Sequence, residues 1–236
     1  MTPSYPVMLD LDGRSVLVVG AGPVAARKIR GVIEAGATVT VVAPEISAEV
    51  RRLAATHDLV LHERSYDPGD VAAPDVRLVI TATGVPHVDA AVFADAEVAG
   101  VWINSADDPE HCSFTLPAVA RRDGITVAVA TAGASPALST WLRDLLAGAL
   151  PDEVERLVPL LVEVRGDIRD RGVGTEHLDW PSLIDELVTL LRDGRHAEAS
   201  ERASAFAAAA GSAVTGATSV EGATDASGPS SATMVS

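Results

Sequence analysis

The chain has 236 residues, 47% of them hydrophobic and 22% charged, which is enough apolar material for one substantial core plus a smaller second unit and rules out disorder throughout. A formal net charge of -15, with no run of Lys and Arg to offset it locally, excludes a nucleic-acid binder, whose target demands a basic surface. The single cysteine, Cys112, excludes an internal disulfide and a Cys-based structural zinc site; with an acidic N-terminus and no uncharged run of membrane-spanning length, the sequence reads as soluble, untargeted and cytoplasmic, without a membrane partner.

In chain order, Val7 to Leu11, between Pro6 and Asp12-Gly13, predicts a small strand packed on the main sheet. The apolar strand Ser15–Val19 then breaks into Gly20-Ala-Gly22 and restarts as an amphipathic helix carrying Val24, Ile29, Val32 and Ile33. Gly36-Ala37 leads to a second buried strand, Thr38–Val42, and Ala43–Ser47 is the loop into a helix over 48–56. Strands follow at Leu59–Glu63 and Val76–Thr83, the second ending at Gly84, with turn chemistry at Tyr66–Asp70 between them. A helix over His87–Val98 and a strand over Val101–Asn104 complete the alternation expected of a mainly parallel, doubly wound α/β sheet of Rossmann type, assigned to residues 1–112.

Residues 113–150 differ in character: two strands, Ser113–Ala120 and Ile125–Ala130, are joined by the turn Arg121–Gly124, and Ser135-Pro136 opens a helix through Leu146. Its apolar stripe is Leu138, Trp141, Leu142 and Leu145. Residues 151–210 form a small helical domain, with Val154, Leu157, Leu161, Val164 and Ile168 at helical spacing, a kink or late start expected at Pro159, and a further helix over Pro181–Arg192. From Gly211 the chain is Gly, Ser, Ala, Thr and Pro, which predicts a disordered tail over 211–236.

The glycine turn carries the first functional expectation. In G-x-G-x-x-A, Gly20 permits the tight turn, Gly22 lets a pyrophosphate approach the N–H groups opening the helix, and Ala25 still allows close helix–strand packing. Gly20, Gly22, Pro23 and Val24 are therefore candidate cofactor contacts, against the plain alternative of a βαβ turn without a ligand. Dinucleotide sites usually end the second strand in Asp or Glu; here Val42 is followed by Ala43-Pro44, with Glu45 just beyond, so backbone around Ala43 and Pro44 together with Glu45 is expected to hold the ribose. No Arg or Lys lies between Ala43 and Val50 to meet a 2'-phosphate, which favours NAD over NADP. Thr81, Thr83 and Gly84 end their strand at the same edge, as neighbours of the cofactor or as simple strand termination.

Three blocks then converge: Gly20-Ala-Gly-Pro-Val-Ala-Ala-Arg-Lys28, Asn104-Ser-Ala-Asp-Asp-Pro-Glu-His-Cys-Ser-Phe114, and Val127-Ala-Val-Ala-Thr-Ala-Gly-Ala-Ser-Pro-Ala137 leading into Trp141-Leu-Arg143. Together they resemble the precorrin-2 dehydrogenase family of siroheme biosynthesis, including the N-terminal part of the multifunctional siroheme synthases. The resemblance implies NAD-dependent oxidation of precorrin-2 to sirohydrochlorin and, in several members, insertion of ferrous iron as a second activity. It implies a homodimer built by the strands and helix of 113–150, with the helical end helping to close the tetrapyrrole cleft; the methyltransferase domain of the multifunctional proteins has no counterpart in this sequence.

The resemblance also assigns residues. Asp107 matches the aspartate the family places in the cleft and gives to catalysis, taking a proton as hydride leaves or accepting pyrrole protons during chelation. Asp107-Asp-Pro109 is equally ordinary turn chemistry, and Asp108 suits that role better. Thr131 and Ser135 lie near where the family's cleft receives substrate carboxylates, although Ser135 also reads as a helix cap. Arg121 and Arg122 are either a solvated turn or the local positive charge that a polycarboxylate substrate needs. His111 and Cys112 are weak candidates for touching iron or substrate, the remaining histidines show no paired spacing, and no metal ligand is assigned. A cofactor-sensing module without chemistry is the competing reading, opposed by the second and third blocks. A chelatase that has lost oxidation is opposed by the intact glycine turn.

Overall fold

The computed structural model describes residues 4–106 and 108–217, with side chains described through residue 210. The β-branched runs of the first half become five strands, β1 (Ser15–Val19), β2 (Thr38–Ala43), β3 (Leu59–Glu63), β4 (Val76–Thr81) and β5 (Trp102–Ser105). They pair in parallel in the order β3-β2-β1-β4-β5. Parallel pairing requires crossovers, supplied by α1 (Pro23–Ile33), α2 (Ala48–Thr56) and α3 (Pro86–Ala99). The period-2 geometry of β1 divides its side chains between two cores. Val16 and Val18 join Ala25, Ala26 and Ile29 of α1 and Val50 of α2, whereas Leu17 and Val19 join Val92 and Ala96 of α3. The sheet is thus covered on both faces, as a doubly wound fold requires.

Two compact units divide the described residues: Met1–Ala118 with Val129–Thr140, and Val119–Ala128 with Trp141–Ser236. The expected segment 113–150 is shared between them. In the second unit, α5 (Val154–Asp170), α6 (Trp180–Arg192) and α7 (His196–Ala217) enclose a core in which Leu157, Val164 and Ile168 meet Leu183 and Leu187 and an alanine stripe, Ala199, Ala203, Ala207 and Ala210. Between the five-stranded sheet and these helices in sequence lie a two-stranded ribbon, β6 (Ala118–Arg122) with β7 (Ile125–Val129), and α4 (Pro136–Gly148). Among the described residues no helix is long and apolar enough to cross a membrane.

Several expectations are corrected. Residues 7–11 form no strand: Val7 and Met8 are exposed, only Leu11 packs on the core, and the segment closes on a turn in which Gly13 (φ +64) donates to the Gly36 carbonyl at 2.9 Å. The ribbon begins at Ala118, not Ser113, because Ser113 and Phe114 fold back along β5, their N–H groups meeting the Ile103 carbonyl at 2.9 and 3.4 Å. Its turn is Asp123-Gly124, both at positive φ, the signature of a tight two-residue hairpin, so Arg121 and Arg122 belong to β6. Pro159 neither delays nor ends α5, which starts five residues earlier and runs through it. The helical region extends to Ala217, beyond the expected start of the tail at 211, since alanine has the highest helix propensity; 218–236 lie outside the described residues.

Candidate dinucleotide site at the C-terminal edge of the sheet

In the order β3-β2-β1-β4-β5 the chain reverses direction across the sheet between β1 and β4, and open α/β sheets bind ligands beyond the strand C-termini at such a point. The loops meeting there are Gly20–Gly22, after β1, and Ala82–Gly84, after β4. Gly20 has φ +108, its N–H donates to the Val42 carbonyl at 2.8 Å, and a Cβ on it would collide with the Ala82 carbonyl. Only glycine lets the two loops approach this closely. Gly22 is the N-cap of α1 without a side-chain cap, Pro23 occupies the first turn, and a Cβ built on Gly22 meets nothing within 4 Å. Open space thus faces a helix terminus with uncapped donors, an arrangement that fits the pyrophosphate of a dinucleotide.

At the ribose end, Ala43 is buried while Pro44 and Glu45 are exposed. The strand register supplies an acid that the sequence pattern did not: Glu63, the last residue of β3, pairs with Ala43. Glu63 accepts a hydrogen bond from Arg51 at 2.6 Å, and this guanidinium holds its carboxyl below the usual glutamate range. Arg30 of α1 is paired in turn with Glu49 of α2.

Thr81 and Thr83 do lie at this edge, but their hydroxyls face inward, onto Asp89. The Asp89 side chain, 8% exposed in the first turn of α3, accepts from both hydroxyls and, at 3.4 Å, from the Thr83 N–H. Thr83 also receives the Val85 N–H on its Oγ1 at 3.0 Å, and Gly84, at φ +68, turns the chain into α3. Asp89 escaped sequence reasoning because an acid in the first turn of a helix is ordinary.

Beyond β5 the second block folds back on the sheet. Lys28 of α1 donates to the Asn104 Oδ1 at 2.8 Å, and the Asn104 Nδ2 donates to the Phe114 carbonyl at 3.0 Å, so the first two blocks are joined by side chains. Cys112 Sγ sits 3.2 Å from the Ser105 N–H and 3.2 Å from the Asp108 carbonyl, and burial pushes its thiol up. It packs as a structural thiol. His111 Nδ1 is 2.6 Å from Asp108 Oδ2, which holds the Asp108 carboxyl below its usual range, and its ring stands edge-on to Phe93 at 4.9 Å. Asp107 lies outside the described residues. Among the described residues no group of three or more His, Cys, Asp or Glu is placed to hold a metal.

The residues of the third block are spent on their own loop. Ser135 caps α4, its Oγ accepting the Leu138 N–H at 3.2 Å, and Thr131 Oγ1 bonds the Ser135 carbonyl and the Ser139 hydroxyl at 3.2 and 2.9 Å. Arg122 belongs to the other unit, where its guanidinium meets Asp152 at 3.0 Å, the Leu150 carbonyl at 3.4 Å and Asp123 at 3.4 Å. Its guanidinium is thus engaged by Asp123 and Asp152, and Arg121 beside it is exposed.

Residues 7–118 match the family model described as "Putative NAD(P)-binding". The chain is 35% identical over 203 residues to a siroheme synthase of Tolumonas auensis, covering 83% of this chain and 42% of that protein. It is 32% identical over 207 residues to siroheme synthase 3 of Aeromonas hydrophila, covering 86% and 44%. It therefore spans less than half the length of these relatives. Among solved structures it is similar to SirC, a precorrin-2 dehydrogenase, with a TM-score of 0.60 and 28% identity over 86% of this chain and 96% of that one. The glycine turn beyond β1 and the fold-back of the second block onto β5 thus belong to a chain similar to SirC, a precorrin-2 dehydrogenase, and to part of the siroheme synthases.

Proposed function

We propose that this chain oxidises precorrin-2 to sirohydrochlorin with NAD as electron acceptor, acting in the cytoplasm as a homodimer. The observation that carries the reading is the likeness to precorrin-2 dehydrogenase over 96% of that protein, in a chain whose own glycine turn forms a dinucleotide crevice. When bound, the nicotinamide supplies a hydride acceptor. The chain's part is to hold and orient. The N–H groups opening α1 receive the pyrophosphate, the backbone at Ala43 and Pro44 with Glu45 receives the ribose, and the loop from Thr81 to Gly84 forms the opposite wall.

The proton released as hydride departs is taken by Asp107, which follows β5 by two residues in sequence. Substrate carboxylates meet the N-terminus of α4 after Thr131 and Ser135, through backbone donors because both hydroxyls are engaged. The preference for NAD over NADP rests on the acids Glu45 and Glu63 near the end of β2 and on the engagement of Arg30 and Arg51 with Glu49 and Glu63. Insertion of ferrous iron into sirohydrochlorin is a second step on the same substrate, with iron as a transient substrate.

The test is anaerobic incubation with precorrin-2 and NAD, following sirohydrochlorin absorbance, then addition of ferrous iron. Folded protein without an NAD-dependent spectral change overturns the reading; sirohydrochlorin that takes up iron no faster than without enzyme removes the second step alone. Asp107→Ala is expected to lower turnover about 100-fold while changing the NAD dissociation constant less than about twofold. Wild-type turnover in that variant removes Asp107 from catalysis.

A further inference from the structure

Asp89 is a buried carboxylate whose partners are all neutral. Its Oδ1 accepts from Thr81 Oγ1, from Thr83 Oγ1 at 2.8 Å and from the Thr83 N–H at 3.4 Å; among the described residues its Oδ2 takes no hydrogen bond and no Lys, Arg or His is bonded to it, and Oδ2 keeps access to solvent. At 8% exposure most of the residue is removed from water, and Oδ2 carries its remaining contact with solvent. The N-terminal end of α3 favours a negative charge there, since Asp89 sits in its first turn. Neutral hydrogen bonds could come equally from an asparagine, so they do not by themselves account for the charge.

The location offers an account. The residues Asp89 holds, Thr81 and Thr83, bracket Ala82, and the Ala82 carbonyl is the group that closes on Gly20 across the crevice. The Ala82 N–H in turn donates to the Val19 carbonyl at 2.8 Å, at the end of β1. Asp89 therefore fixes the β4 wall of the dinucleotide site and places one carboxylate behind it. A nicotinamide ring is cationic when oxidised and neutral when reduced.

We propose that Asp89 is a positioning and specificity residue that sets the wall of the cofactor site through Thr81 and Thr83 and whose carboxylate favours the oxidised dinucleotide over the reduced one. In a dehydrogenase that consumes the oxidised form, this bias assists loading of reactant and release of product. The inference rests on a nicotinamide dinucleotide occupying the Gly20–Gly22 crevice.

The experiment is equilibrium titration of the full chain with NAD and with NADH, by calorimetry and by NADH fluorescence. Asp89→Asn keeps size and hydrogen-bond acceptance and removes the charge, and Thr83→Val keeps the charge and removes one hydroxyl. The wild type is expected to bind NAD more tightly than NADH. Asp89→Asn is expected to weaken NAD about three- to tenfold and leave NADH unchanged or tighter, whereas Thr83→Val shifts both ligands alike. A merely structural role for Asp89 predicts equal weakening of both in Asp89→Asn, and that result, or an unchanged ratio, overturns the proposal. If Asp89→Asn does not fold, the wild-type ratio decides: tighter NADH than NAD overturns it. A folded wild type that binds neither ligand removes the dinucleotide reading itself, an outcome distinct from an unbiased pair of affinities.

Discussion

Gly20 concentrates two requirements in one residue: a φ of +108, which side-chain-bearing residues rarely adopt, and a van der Waals approach to the Ala82 carbonyl that a Cβ would violate. Gly20→Ala is expected to cost about 1–3 kcal/mol in backbone strain alone and to push the loops of β1 and β4 apart. Thermal unfolding should report the first effect and NAD titration the second, as a loss of affinity of about tenfold or more; unaltered NAD affinity would mean that the turn is not the cofactor site. The requirement at Gly20 is local, and so the motif spacing alone made it legible. Glu63 and Asp89 were not legible for the opposite reason. Glu63 reaches Ala43 only through the β2–β3 register, and Asp89 reaches Thr81 and Thr83 only once α3 is folded back on β4. The link from Lys28 to Asn104 spans 76 residues and joins two sequence blocks through a contact that no periodicity encodes.

Elements follow the sequence where apolar contrast is strong and part from it where the contrast is weak. The strands β1 to β5 and the helix α2 stand within two residues of their expected bounds because a β-branched run between turn residues has few alternatives. In α7 the buried residues are alanines, which differ little from their surroundings in hydropathy, so the stripe Ala199, Ala203, Ala207 and Ala210 gave no amphipathic signal. Val7 to Leu11 erred the other way, with apolar residues but no strand to pair with. Between β3 and β4 the turn chemistry at Tyr66–Asp70 becomes a short helical turn over Pro68–Asp70, in which Asp67 and Asp70 cap reciprocally and Arg64 bonds Asp70 through two nitrogens. That guanidinium holds the Asp70 carboxyl below its usual range. A depressed carboxylate contributes stability that is fully present above its unfolded pKa, about 3.9, and is lost as pH falls through the lower folded value. Arg64→Met is therefore expected to lower the melting temperature at pH 7 and to converge on the wild type as pH drops below the ordinary aspartate range. Parallel melting curves at every pH would mean that the pair does not carry this stability.

For the whole molecule, the unsettled surface is α4. Leu138, Trp141, Leu145 and Leu146 recur on one helix face and are 44 to 60% exposed, while Ser139 is the buried residue of that helix. In the homodimer proposed above, this face is assigned to contact with a second copy of the chain. Two chains of net charge -15 repel each other, so association of such a pair must be driven by apolar burial and opposed by charge. The balance has a sign that can be measured: raising salt screens the repulsion without weakening apolar contact, so dimerisation should tighten from low to physiological ionic strength, opposite to an interface held by ion pairs. Sedimentation velocity of the wild type is expected to give twice the 24.3 kDa chain mass, with dissociation favoured at low salt. Trp141→Glu adds a charge at the most exposed position of the stripe and is expected to sediment at the single-chain mass at any salt while keeping the wild-type melting transition of the dinucleotide-binding unit. A wild type at the single-chain mass would remove the dimer, and a Trp141→Glu variant that stays dimeric would move the interface away from α4.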